Sequence, residues 1–275
     1  MFWRRALVFF TLGPLTLLLV YLGGWFYFIP FAGLLIVASI EFSHLGGKLG
    51  WRIPLLVLIP SVIAQWFLPL EVQEMLFGGS GLQVDLASTA MVLSLLVIMG
   101  YALWLFERKD GEDAAGSWMA GVGGFIVLGW LGSYFFQLRA FGETGMEWTI
   151  AVMVGIWIAD SGAYVIGKTL GRHKLAPKLS PNKTLEGYFG GVLFGTVATL
   201  LLAMLFDLNL WTALLIGLTI SILSPLGDLG VSMLKRTVGV KDSGNFLPGH
   251  GGALDRTDSL LWGVVLAYYL LQLTS

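Results

Sequence analysis

The chain of 275 residues contains no cysteine. This absence excludes a disulfide framework, a cysteine-ligated zinc or iron–sulfur site and a thiol nucleophile. Histidine is almost as scarce, with three residues, and a zinc site is therefore disfavoured as well. A metal site in this chain is expected to use oxygen ligands and a hard cation.

Charged residues are also few. They make up 12% of the chain and hydrophobic residues 56%, whereas soluble domains have about 25% charged residues. This composition excludes an ordinary water-soluble globule. The apolar runs continue from end to end without a polar half, which indicates one membrane domain. The sequence also lacks the Walker and dinucleotide-binding glycine motifs, so a conventional nucleotide-binding domain is absent.

Apolar segments that approach the length of a membrane span recur through the sequence. A spanning helix needs about 20 mostly apolar residues. The candidates are 6–22, 24–40, 53–70, 85–106, 118–138, 149–168, 187–206, 209–227 and 259–273. They predict an all-α, polytopic integral membrane protein with about nine transmembrane helices. Gly23 and Gly24 are expected to join the first two as a tight hairpin, and the last segment is short enough for an interfacial or partly buried helix.

The basic residues predict the orientation, because cytoplasmic loops are enriched in lysine and arginine. With the N-terminus inside, all of the 16 basic residues except Arg139 fall on one side. We therefore expect a multi-pass protein of a bacterial-type inner (plasma) membrane. The long polar loops 168–186 and 228–258 would then face the cytoplasm, where a nucleotide substrate is found.

The segment 228–258 is too rich in charge to be a simple linker. Asp228, Ser232, Lys235 and Arg236 recur at helical spacing and are expected to converge on one helix face. Asp228 follows an apolar run and lies near hydrocarbon depth, where a carboxylate needs a cation partner. For the two cations taken alone, the structural alternative is a solvated helix end near lipid headgroups.

A glycine-rich loop, KDSGNFLPGHGGALDRTD, follows this helix. Glycines let backbone N–H groups approach phosphate oxygens, although glycine richness alone is more typical of a flexible turn. Basic side chains in the loop are suited to neutralise a polyphosphate, and acidic ones to hold Mg²⁺. The basic candidates are Lys241, His250 and Arg256, the acidic ones Asp242, Asp255 and Asp258, and the glycines Gly244, Gly249, Gly251 and Gly252. Asp255 and Asp258 are three residues apart and would face one way on a helix.

A second group of polar residues begins inside the sixth apolar segment with Asp160 and Ser161. An acid within a span indicates a functional site, with an interhelical hydrogen bond as the structural alternative. In the basic loop that follows, Ser180-Pro181 predicts a helix N-cap and first helical position, with Asn182, Lys183 and Thr184 in the first turn. Such a helix start is an expected anion site.

Two long motifs can be written from these residues. The first is Ser232-x-x-Lys235-Arg236, Lys241-Asp242-Ser243-Gly244, Leu247-Pro248-Gly249-His250-Gly251-Gly252 and Asp255-Arg256-x-Asp258; the second is Asp160-Ser161-Gly162-Ala163-Tyr164 with Ser180-Pro181-Asn182-Lys183-Thr184-x-Glu186-Gly187. Together they resemble the signature of the phosphatidate cytidylyltransferases. The resemblance covers the chain from residue 160 onward, and the first half is similar only as a series of spans.

The resemblance implies an integral membrane enzyme that is a homodimer, needs Mg²⁺ and acts on CTP and phosphatidic acid among membrane lipids, with no nucleic acid as partner. A phosphate oxygen of phosphatidate attacks the α-phosphorus of CTP, and pyrophosphate leaves. Residues 141–275 would form the catalytic region with its cytoplasmic loops. Residues 1–140 would serve as a scaffold or dimerisation part.

Residue roles follow from the same resemblance. The expected metal ligands are Asp228 and Asp255, with Asp160 as a third ligand or an orienting group, and a second cation stays open. Lys235, Arg236, Lys241 and Arg256 would neutralise the phosphates, and Asp242 and His250 complete the catalytic set; His250 would protonate pyrophosphate or donate a hydrogen bond to phosphate. The substrate-binding set is Asp160, Ser161, Ser180, Asn182, Lys183, Thr184, Glu186, Ser232, Ser243, Gly249, Gly251, Gly252 and Asp258.

Two further functions fit parts of the sequence. An ion-coupled carrier would use Asp160 and Asp228 as cation ligands near the midplane, but the two halves show no internal repeat. An intramembrane aspartyl protease would pair the same two acids and leave the loop 235–258 unexplained. A scaffold for soluble partners is disfavoured, because large water-exposed segments are missing.

Overall fold

A computed structural model gives the fold of residues 2–78, 86–108, 113–246 and 251–274, with side chains described from residue 11 onward. The helices are α1 (Phe2–Leu22), α2 (Gly24–Lys48), α3 (Leu55–Phe67), α4 (Leu70–Phe77), α5 (Ala87–Arg108), α6 (Ala114–Gly124), α7 (Leu131–Arg139), α8 (Gly145–Thr169), α9 (Leu185–Leu205), α10 (Leu210–Leu223), α11 (Pro225–Thr237) and α12 (Leu254–Thr274). A π-helical turn, Phe125–Trp130, joins α6 to α7, and two short strands, β1 (Lys174–Ala176) and β2 (Ser180–Thr184), form a hairpin. The predicted all-α polytopic fold is confirmed.

Six helical segments in the described ranges are long and apolar enough to cross a membrane. They are Gly24–Lys48, Ala87–Arg108, Ala114–Arg139, Gly145–Thr169, Leu185–Leu205 and Leu210–Thr237. α3 and α4 give a seventh span if the two are counted together. They are bent by 76° at a break beside Pro69, which has no backbone N–H to continue the hydrogen bonds of the helix. The predicted count of nine is not confirmed. Within the first predicted span, 6–22, the residues with described side chains form a shorter apolar helix, Thr11–Leu22. α12 is less apolar than the six candidate spans.

α1 ends and α2 begins at Gly23-Gly24, where the sequence predicts a tight hairpin. Gly23 and Gly24 have φ values of 64° and 48°, which glycine adopts without strain. Arg139, at the end of α7, donates from Nε to the Val20 carbonyl oxygen at 2.7 Å. Arg139, the one basic residue predicted on the opposite side of the membrane, thus satisfies a carbonyl at the C-terminal end of α1.

The last predicted span, expected to be interfacial or partly buried, is partly buried: most of its residues face neighbouring helices, whereas Trp262, Tyr269 and Leu273 are exposed. α12 packs against α2, α7, α8, α10 and α11. Even Thr257, Asp258 and Ser259 are at most 8% exposed. Because neighbouring helices shield α12, its polar residues have protein partners where a lipid-facing helix would have none. α12, the shortest of the predicted spans, therefore packs within the helix bundle.

α8 and α9 pack through glycines that bring the two backbones together. A Cβ at Gly191 would lie 2.9 Å from the Ala159 carbonyl oxygen and 3.1 Å from the Ala163 Cβ. Gly187 and Gly195, one turn to either side on α9, face α8 equally closely. Small residues at this spacing are the usual means of close helix association in a bilayer.

Replacing Gly191 with valine is expected to lower the free energy of unfolding by about 1–3 kcal/mol, because the added methyl groups force the two helices apart. Thermal denaturation of the detergent-solubilised protein measures the effect. Gly33→Ala on α2 is the matched control, since a Cβ there meets nothing within 4 Å. An unchanged melting temperature for Gly191→Val would contradict the packing described above.

Candidate active site

A cavity of about 690 Å³ lies where α8, α9, α11 and α12 meet the β-hairpin. Its size is within the usual range for small-molecule sites, about 300–1,000 Å³. Its lining includes the acids Asp160, Asp228, Asp242, Asp255 and Asp258 and the bases Lys168, Lys174, Lys183, Lys235 and Arg256. In a chain that is only 12% charged, this concentration identifies the cavity as the candidate site.

The β-hairpin corrects the predicted helix start at Ser180-Pro181. Residues 180–184 form β2, which pairs antiparallel with β1, with Ala176 opposite Ser180 and Lys174 opposite Thr184. α9 begins four residues later than predicted, because Thr184, still extended, accepts a hydrogen bond from the Gly187 N–H at 3.1 Å as N-cap. Asn182 and Lys183 therefore reach the cavity from a strand and not from the first turn of a helix.

Lys183 forms an ion pair with Asp228 across the cavity. Lys183 Nζ lies 2.5 Å from Asp228 Oδ2, and both side chains are about one-third exposed. The Ser232 hydroxyl donates to the other oxygen, Oδ1, at 3.3 Å. Asp228 thus has the cation partner that the sequence predicts for it, and the pair joins α11 to the β-hairpin.

Lys235 and Asp255 form a second, more deeply buried pair. Lys235 Nζ donates to Asp255 Oδ1 at 2.5 Å, and the two side chains are 9% and 8% exposed. The backbone N–H groups of Ser243 and Gly252 donate to Oδ2 at 2.8 and 3.0 Å. The carboxylate is therefore fully used inside the protein. It fixes the lysine and the loop relative to each other.

A carboxylate from the N-terminal half reaches the same loop. Glu41 on α2 is 7% exposed. Its Oε1 accepts from the Ala253 N–H at 3.0 Å, and its Oε2 accepts from the Leu254 N–H at 2.9 Å and from the Ser243 hydroxyl at 2.8 Å. A buried acid is thus placed at the start of α12, where the helix dipole favours negative charge.

Three acids of the cavity interact unfavourably with one another. Asp160 and Asp258 each repel Asp228, and they repel each other. Arg256 and Lys183 attract Asp160 and offset part of this repulsion. In the described part of the chain, no three acids or histidines are placed to hold a metal ion by themselves. A cation at this site would need further ligands.

Comparison with known proteins decides the family. A family model described as the cytidylyltransferase family matches residues 3–274. The chain belongs to the cytidylyltransferase family. Bacterial relatives named phosphatidate cytidylyltransferase include one from Bacillus subtilis, 36% identical over 226 residues that cover 80% of this chain and 81% of the relative. One from Staphylococcus epidermidis is 32% identical over 240 residues, 86% of this chain and 84% of the relative. One from Staphylococcus aureus is 37% identical over 198 residues, 70% and 72% of the two chains.

The cytidylyltransferase cavity brings together about half of the residues singled out in the sequence. Those in its lining are Asp160, Asn182, Lys183, Thr184, Asp228, Lys235, Asp242, Asp255, Arg256 and Asp258. Ser232 and Ser243 contact lining acids, and Gly251 and Gly252 lie beside Asp255. Gly249 and His250 lie outside the described residues.

Other predicted residues of this cytidylyltransferase do not line the cavity. Arg236 donates to the Leu179 and Val240 carbonyl oxygens at 3.3 and 3.2 Å, so the expected convergence of all four α11 residues is wrong for Arg236. The Glu186 carboxylate accepts from the Arg172 and His173 backbone N–H groups and shapes the loop before β1. Ser161 donates back to the Trp157 carbonyl oxygen of its own helix. Ser180 and Lys241 are also absent from the lining.

Several residues in or near the cavity were not predicted from the sequence. Lys168 and Lys174 line the cavity, although neither belongs to the two motifs. Ser221 is 2% exposed and its hydroxyl, also in the lining, has no hydrogen-bond partner among the described residues. Glu41, outside the lining, could have been found from the sequence. The apolar segment predicted to end at residue 40 continues with Phe42 and Leu45, so Glu41 is an acid within an apolar run.

Proposed function

We propose that this protein transfers the cytidylyl group of CTP to phosphatidic acid, giving CDP-diacylglycerol and pyrophosphate. The observation that carries the proposal is the cavity in which both motifs meet, with Lys183 paired to Asp228 and Lys235 to Asp255. The family and the named activity of its relatives support the same reaction.

The chemistry requires little acid–base help from the protein. The attacking phosphate oxygen of phosphatidate is already anionic, and a P–O bond forms at the α-phosphorus of CTP as the bond to pyrophosphate breaks. Catalysis can then come from positioning and from charge neutralisation. The basic residues in the cavity lining that can supply this charge are Lys168, Lys174, Lys183, Lys235 and Arg256.

We propose that Asp160 and Asp228 hold Mg²⁺ together with substrate phosphate. Magnesium is commonly bound by one or two carboxylates plus phosphates, which agrees with the lack of a group of three ligands among the described residues. A cation would also relieve the repulsion among Asp160, Asp228 and Asp258. When bound, Mg²⁺ neutralises charge on the triphosphate. Asp255 was expected among the ligands, but its side chain is 8% exposed and accepts from Lys235, Ser243 and Gly252, whereas that of Asp228 is 32% exposed. We therefore assign Asp255 a positioning role.

We also propose that the N-terminus and the cavity face the cytoplasm and that the enzyme works as a homodimer among membrane lipids. The orientation is supported by the basic residues, of which Arg139 alone falls on the opposite side of the sequence pattern. Arg139 ends α7, whereas the cavity lies at the far end of the following helix, α8. The dimer is supported by the family resemblance.

The proposed function is tested with purified protein in detergent, given labelled CTP and phosphatidic acid. We expect CDP-diacylglycerol and pyrophosphate in equal amounts, only when both substrates are present, and no product after chelation of Mg²⁺. Diacylglycerol in place of phosphatidic acid is the matched control, because it lacks the attacking phosphate. A folded protein that makes no product but moves ions across vesicles would favour the carrier instead.

A further inference from the structure

We infer that Glu41 is a positioning residue of the active site, although it lies in the half of the chain that carries neither motif. The inference rests on the proposed function. Glu41 is not part of the cavity lining. It acts through the residues that are, and the contacts form a continuous path from α2 to Lys235.

The first step of the path is the start of α12. Glu41 accepts the N–H groups of Ala253 and Leu254, two donors that a helix start leaves without intrahelical partners. These bonds fix where α12 begins relative to α2. Asp255 follows immediately, so its position depends on that anchor.

The second step runs through Ser243. Its hydroxyl donates to Glu41 Oε2 at 2.8 Å, and its backbone N–H donates to Asp255 Oδ2 at 2.8 Å. The hydroxyl oxygen also lies 3.0 Å from Asp255 Oδ2. Its one proton is therefore within reach of both acids, while the backbone N–H is used by Asp255 alone. Asp255 in turn holds Lys235 Nζ, which lines the cavity. Glu41 thereby sets the position of a cation that it does not touch.

Two glycines of the loop agree with this arrangement. The three atoms nearest to a Cβ at Gly244 would all belong to the Glu41 side chain, and a Cβ at Gly252 would collide with both Glu41 and Ser243. Gly244 has no positive φ that would itself demand glycine. The small residue is therefore needed because the loop passes directly over the buried carboxylate.

Glu41→Gln tests the inference, since it keeps the size of the side chain and removes one acceptor and the charge. We expect kcat to fall about 10–100-fold, the usual effect of an outer residue that orients a site, with KM for CTP little changed. The double variant Glu41→Gln/Ser243→Ala should lose less than the product of the two single losses, because both act on one path. Glu147→Gln, at the far end of α8, is the control and should keep the wild-type rate.

Gly244→Ala provides an independent arm if Glu41→Gln does not fold. It keeps the acid, displaces its carboxylate and should lower kcat in the same way, whereas Gly47→Ala on α2, with open space around it, should not. A folded Glu41→Gln with wild-type kcat, a rise in KM alone, or fully multiplicative losses with Ser243→Ala would overturn the inference. A wild-type protein that makes no CDP-diacylglycerol would refute the proposed function and this inference with it, whereas equal activity of wild type and Glu41→Gln refutes the positioning role alone.

Discussion

Replacing Asp228 with asparagine is expected to lower kcat by at least about 100-fold, the scale found when one charge-stabilising group is removed from a preorganised site. The variant removes the partner of Lys183, whose Nζ lies 2.5 Å from the carboxylate. It also removes one of the two acids that we assign to Mg²⁺. Steady-state assays with CTP and phosphatidic acid at saturating concentration measure the effect. Size-exclusion chromatography shows whether the variant remains folded.

Asp207→Asn is the matched control for this variant. Asp207 follows α9 at the end away from the cavity and has a φ of 55°, a conformation that asparagine also adopts readily. The same change of acid to amide should therefore leave the rate unchanged there. If Asp228→Asn retained more than half of the wild-type kcat, Asp228 would have to be removed from the proposed metal site.

In variants of the Lys235–Asp255 pair, we expect the free energy of unfolding and the enzymatic activity to change independently. Each single variant, Lys235→Met or Asp255→Asn, leaves one buried charge without its partner, which costs about 3–5 kcal/mol in the free energy of unfolding. The double variant Lys235→Met/Asp255→Asn has no unpaired charge and should regain most of the lost stability. It should stay inactive, because the cation that we assign to the substrate phosphates is gone.

Thermal denaturation and product formation, measured on the same four proteins, give both halves of this prediction. The side chains are 9% and 8% exposed, so solvent can compensate little for a missing partner. An active double variant would show that the pair serves folding alone. A double variant less stable than both single variants would show that the two residues have separate structural roles.

Much of this fold was predictable because membrane spans are long and their apolar composition does not depend on distant partners. The helix break at Gly23-Gly24 and the helical character of the apolar segments agree with the sequence pattern, whereas the count of nine spans is not confirmed. The helix start near Ser180 was wrong, since the pairing of residues 180–184 with β1 outweighed the local preference of Ser-Pro for a helix start. The partly buried position of α12 depends on five other helices, which no local pattern contains.

The site was predictable to the extent that its residues share a motif. Asp228, Lys235 and Asp255 meet in the cavity as their spacing on α11 and α12 indicated. The ion pair between Lys183 and Asp228 was not predictable, because it depends on how α11 packs beside the β-hairpin. Glu41 was missed for the same reason, since its partners lie more than 200 residues away in sequence.

The placement of α12 has a consequence for how the protein assembles. A helix enters a bilayer by itself only when its side chains are apolar enough, and acids and arginine raise the cost of that transfer. α12 is less apolar than the six spans and carries Asp255, Arg256 and Asp258 in its first turns. It therefore gains its place from helices that are already inserted and that surround it. Because Asp255, Arg256 and Asp258 line the cavity, the cavity has its full set of charges only when α12 is packed in the bundle.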